Sequence, residues 1–273
     1  MANNIPNNAF PDKGNWTSCQ LKLAFYLYCQ LPFGKLTHSN KEIIRLAGLI
    51  HRTPSSVAMK LCNFASLDPA IRNSGRKGLD GASKADRDIW KLFHNNWEAL
   101  AKESESLLLQ LTQGIPFLKE DLKSTEMNYS ENDFTGETKK GFVNQRIRQS
   151  FFRRSVLAGY GGVCCISGLA EPNLLVASHI VPWSKDKGNR LNPSNGLLLS
   201  AIHDRAFDKG LMTLSSDFEV ILSRKLRKTD NEFLKKVFLD FEGKSINLPD
   251  RFVPKVEFVE YHQKNVFQDS SSR

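Results

Sequence analysis

Apolar residues in the first 110 positions recur at the three-and-four spacing of an amphipathic helix. Leu21, Ala24, Phe25 and Tyr28 form one stripe, closed by Pro32, Phe33 and Gly34. Asn40 is placed to cap a second helix carrying Ile43, Leu46, Ala47 and Ile50. After the break His51-Arg52, Thr53 is a favoured N-cap and Pro54 suits the first position of a third helix. Its inner stripe is Val57, Leu61 and Phe64. Two such helices joined by a short turn predict the shape of a helix-turn-helix, although a plain helical hairpin has the same pattern. A longer helix is expected over 84–110, where Ile89, Trp90, Phe93 and Trp97 form an aromatic stripe that belongs in the core.

The pattern changes in the second half. Leu174-Leu175-Val176-Ala177 reads as a strand that delivers His179 at its end. Asn195-Gly196 marks a turn, and Leu197-Leu198-Leu199-Ser200 leads into a short helical segment bearing His203. This is a β–β–α unit with His179, Asn195 and His203 spaced 16 and 8 apart. Val220-Ile221-Leu222 reads as a further strand. Glu232 to Phe241 reads as a helix packing through Phe233, Val237 and Phe238. The class is α+β.

Composition narrows the partners. The 273 residues are 40% hydrophobic and 25% charged, which excludes a wholly disordered chain and fits one or two domains. A net charge of +9 favours a polyanion such as nucleic acid. The excess is +5 over residues 1–110 and +6 over 145–273, with −2 between them. We read 1–110 as a helical DNA-reading domain. Residues 111–144, with Gly114-Ile115-Pro116 and the polar run Ser124 to Lys140, read as a linker. No apolar run reaches a membrane span, and no signal peptide is visible. Five cysteines in such a chain point to reduced thiols and a cytoplasmic protein with no membrane partner.

Three blocks carry a resemblance: Ser178-His179-Ile180-Val181-Pro182-Trp183, Asn195-Gly196-Leu197-Leu198-Leu199, and His203-Asp204-Arg205-Ala206-Phe207-Asp208-Lys209-Gly210. In this order they resemble the HNH, or ββα-metal, endonucleases, over residues 145–267 including the lead-in Arg148 to Arg154. The resemblance implies a nuclease domain in which His179 is the general base and Asn195 pins the loop that holds it. His203 would be the ligand of a divalent metal, Mg²⁺ or Mn²⁺. The residue before the base, often a second ligand in the family, is here Ser178, so Asp208 or Asp204 is expected to help. Cys165-Ile166-Ser167-Gly168 lacks the second cysteine of a zinc pair. No structural zinc is expected, and Cys164 and Cys165 read as small buried residues.

A helical reader joined to such a nuclease is similar to restriction endonucleases, in particular the BisI-like enzymes that cut DNA containing methylated cytosines. Duplex DNA, methylated, is then the expected partner, and a homodimer the expected form. The second helix of the hairpin would present Ser55, Ser56, Met59, Lys60 and Asn63, preceded by Arg52 and Thr53, to base edges and phosphates. Arg76 and Lys77, in the loop Arg72 to Gly78, would meet phosphates, unless that loop is simply solvated. Three alternatives stay open: a restriction enzyme for unmodified DNA, a mobile-element nuclease, and a DNA-binding regulator with an inactive nuclease domain.

Overall fold

The computed structural model describes residues 9–76, 78–113 and 149–269. The chain forms two compact units, Met1–Ala158 and Gly159–Arg273. Most of the expected linker, 114–144, lies outside the described residues.

The first unit is helical and is built around α1 (Ser18–Gln30), which is buried on nearly every side. Thr17 and Gln20 close a reciprocal capping box at its start. α2 (Lys41–Leu49) begins at Asn40, whose Oδ1 accepts from the amides of Glu42 and Ile43. α3 (Pro54–Ala65) begins at Thr53, whose hydroxyl accepts from Ser56 N. His51 between them has φ 55, a left-handed conformation that turns the chain sharply. α4 (Pro69–Asn73) is capped by Asp68. The long helix expected over 84–110 is two helices, α5 (Lys84–Asn95) and α6 (Trp97–Leu111). Asn96 breaks them: its amide closes α5 on Leu92 O while its side chain accepts from Ala99 N at 3.0 Å to open α6. The aromatic stripe is core, with the Phe25 ring 4.5 Å from Phe93 and 5.0 Å from Phe64. A further helix, α7, covers 149–159. Its Phe151 stacks on Tyr26 at 4.8 Å and its Arg154 reaches Glu42 at 3.4 Å, so this lead-in makes contacts within the helical unit.

In the second unit β1 (Leu175–His179) pairs antiparallel with β2 (Gly196–Ser200), from Leu175 opposite Ser200 to His179 opposite Gly196. All five residues of β2 are buried, which explains the unbroken Leu197-Leu198-Leu199 run. α8 (Ala201–Asp208) follows at once, capped by Ser200. Gly210 ends this stretch at φ 65, and a side chain there would collide with the Val266 carbonyl. β3 (Met212–Leu214) and β4 (Val220–Leu222) form a second hairpin. α9 (Arg224–Arg227), α10 (Glu232–Val237) and α11 (Val256–Asn265) complete the unit. The helix expected to Phe241 ends at Val237 and passes into a 3₁₀ turn, Leu239–Phe241. Phe238 is buried, but Phe233, expected to pack, is 61% exposed.

Candidate active site

His179 stands at the last position of β1. Its Nε2 lies 2.9 Å from the Arg190 carbonyl, an acceptor only, so Nε2 carries the proton and Nδ1 the lone pair. Burial holds the imidazole down at about 4, partly opposed by the Arg190 carbonyl, so the ring is neutral at pH 7. Trp183 meets it edge to face at 5.5 Å and is covered in turn by the Arg190 guanidinium at 5.2 Å.

Asn195 is 1% exposed and uses its amide as a clamp. Oδ1 accepts from Val181 N at 2.8 Å, and Nδ2 donates to Val181 O at 3.2 Å and Asn189 O at 3.3 Å. Its carbonyl accepts from Ile180 N at 3.0 Å. The backbone just after His179 is therefore fixed against the start of β2.

His203 lies on the buried side of α8. Its Nε2 donates to the Val237 carbonyl at 2.8 Å, and its Nδ1 lies 2.8 Å from the Ser200 hydroxyl. Both ring nitrogens, one of them the expected metal-ligating group, are thus engaged inside the protein. Cys164 joins the same knot. Its Sγ is 3.9 Å from His203 Nδ1 and accepts from the amides of Ser167 and Ser200. Burial pushes this thiol up, but its hydrogen bonds with His203 and Ser167 outweigh that and bring it to about 6. Cys165 is buried as expected, and burial pushes its thiol well up.

Asp204, the next residue, is half-buried. Burial pushes its carboxyl up to about 6, with Asp208 adding to the rise, against the lowering effect of Ser178 and Arg205. Asp204 and Asp208 are four apart on α8 and share a face. Ser178 Oγ is buried and makes no hydrogen bond among the described residues, though it is near enough to favour the Asp204 anion. A half-buried and an exposed carboxylate one helical turn apart, beside the Ser178 hydroxyl, have the hard oxygen donors that suit a hard cation. Among the described residues no three His, Cys, Asp or Glu side chains converge. A cation held by these two carboxylates would complete its shell with water and phosphate oxygens. Sequence reasoning placed Asp204 behind His203; which of the two points inward is set by the Val237 carbonyl, 34 residues away.

The residues expected to read DNA divide. Ser55 and Met59 are exposed on α3 and Ser56 is half-buried. Thr53 is spent on the cap. Arg52 is not turned outward. It donates to the carbonyls of Gly14 and Asn15 and to Gln20 Oε1, each at 2.9 Å, and lies over Trp16. Lys60 is paired with Asp86 at 2.9 Å, and Asn63 is buried at 7% exposure. The guanidinium of Arg76 lies 5.9 Å from the centre of the Phe33 ring. Lys77 lies outside the described residues.

No described helix is long and apolar enough to cross a membrane. No curated protein matches the chain. Residues 164–215, from Cys164 through β1, β2, α8 and β3, match the family model HNH_2, HNH endonuclease, so the second unit carries an HNH endonuclease domain.

Proposed function

We propose that the protein is a metal-dependent endonuclease that hydrolyses phosphodiester bonds in duplex DNA, with His179 as base and Asp204 and Asp208 as the cation's protein ligands. The observation that carries this is the neutral His179 at the end of β1, its Nε2 held by the Arg190 carbonyl. Water oxygen attacks phosphorus as Nδ1 takes its proton, and the bond from phosphorus to the leaving sugar oxygen breaks. Asn195 holds the loop so that the imidazole need not reorganise during attack. A bound divalent cation supplies charge stabilisation for the phosphate and the leaving oxygen. His203 acts through position: tied to Ser200 and Val237, it sets the orientation of α8 and hence of Asp204.

The finer reading is a restriction enzyme that requires methylated cytosines and acts as a homodimer. The α2–α3 hairpin would enter the major groove with Ser55, Ser56 and Met59 foremost, and the exposed Met59 thioether suits contact with a cytosine methyl. Plasmid nicking in Mg²⁺ tests the core of the proposal. His179→Ala should lower the rate by about 10²–10⁴ while DNA binding persists. Asp204→Asn should also weaken Mg²⁺ binding by calorimetry, whereas His203→Asn should lower the melting temperature first. Near-normal turnover by His179→Ala would remove the assignment. Matched methylated and unmethylated substrates test the finer reading.

A further inference from the structure

The segment from α9 to α10 has a surface that the fold itself does not use. α10 buries none of its six residues. An isolated helix this short is marginal in water. Here it is held at its two ends: Asn231 Oδ1 accepts from Leu234 N at 3.0 Å, and the Val237 carbonyl receives His203 Nε2. Its Phe233 stands 61% exposed among cations. Residues 224–236 hold Arg224, Lys225, Arg227, Lys228, Lys235 and Lys236 against only Asp230 and Glu232. Arg224, Arg227 and Lys235 are paired with Asp269, Glu242 and Glu232. Lys225, Lys228 and Lys236 are exposed and make no ion pair among the described residues.

We propose that this surface grips duplex DNA beside the cut, with Lys225, Lys228 and Lys236 neutralising phosphates and Phe233 wedging against the minor groove. The inference rests on the nuclease reading of the same unit. Phe233 is four residues, one helical turn or about 6 Å along the axis, from Val237. Val237 is bonded to His203, the residue before Asp204. The candidate carboxylates on α8 and these lysines thus belong to the same compact unit. An exposed aromatic ring in a segment carrying unpaired cations matches a polyanion with apolar sugar and base edges, and repels a basic protein partner.

The test is DNA affinity of the full chain, by fluorescence anisotropy across a salt series, together with cleavage rates. Lys225→Gln/Lys228→Gln/Lys236→Gln should flatten log K against log salt by about 0.9 for each phosphate no longer neutralised. Phe233→Ala should lower kcat/KM about tenfold or more with the salt slope unchanged. All four positions are exposed, so melting temperatures should stay at the wild-type value, and a fall in activity is not a fall in folding. A wild-type enzyme that cleaves, with variants of unchanged slope and rate, would overturn this surface alone. A wild-type chain that neither binds nor cuts DNA would overturn both this surface and the nuclease reading.

Discussion

At the scale of single residues, the imidazoles show how one side-chain type takes different tasks. His179 has its Nε2 fixed by the Arg190 carbonyl, and its ring is the proposed base. His203 has both nitrogens engaged in structure. His262 is a buried joint, stacked on Phe207 at 3.6 Å, with Nδ1 on the Thr213 hydroxyl and Nε2 on the Phe207 carbonyl. Burial lowers His262 to about 4, against the raising effect of that carbonyl. The unfolded chain therefore takes up a proton near pH 6.5 that the folded chain refuses until about pH 4. Stability is complete above pH 6.5 and falls as pH drops toward 4, by on the order of 1–3 kcal/mol from this residue. His179 adds a loss of the same sign. Thermal melts from pH 7.5 to 4 should show the decline, and His262→Gln should make it shallower; an unchanged profile would contradict the buried neutral state.

At the scale of elements, the α2–α3 hairpin carries an expectation in which Arg52 read bases. The guanidinium instead straps the stretch around Gly14 and Asn15 to α1 through Gln20. Arg52→Ala should then destabilise the helical unit by about 1–2 kcal/mol, since three acceptors lose their donor. Its effect on DNA binding should be the same for methylated and unmethylated duplexes. Melting temperature, Trp16 fluorescence and paired binding curves check both parts, and a selective loss on methylated DNA would restore Arg52 as a base reader. The outer face left to α3 is small and weakly charged, so under the proposed reading its discrimination would come from fit and contact with methyl groups. One buried methyl is worth only about 0.8 kcal/mol.

At the scale of the whole molecule, the chain contains one His179–Asn195 nuclease motif. One such site cuts one strand at a time. Two chains related by a two-fold axis would cut both strands of a palindromic site and would double the small energy available from each methyl. Light scattering of the complex with duplex DNA should give two chains. A one-chain complex that makes concerted double-strand breaks would refute this. The positive charge lies at both ends of the sequence and not in the middle stretch, so binding should weaken steeply with salt.

Much of this was legible in the chain because it is decided within a few residues. Asn40, Thr53-Pro54 and Ser200 begin helices through bonds to amides two or three positions on, and β2 follows from three consecutive leucines. The order of His179, Asn195 and the α8 block likewise marks the ββα site locally. Other outcomes were settled by partners far along the chain. Arg52 is claimed by carbonyls 37 and 38 residues before it, and His203 by one 34 residues after it. Nothing in the pattern around Phe233 distinguishes a packed ring from an exposed one. Local hydrogen bonds choose the elements. Burial decides which of two neighbouring polar side chains faces the core, because a polar group must find its partner there or stay in water. That choice put His203 inside and left Asp204 half-buried.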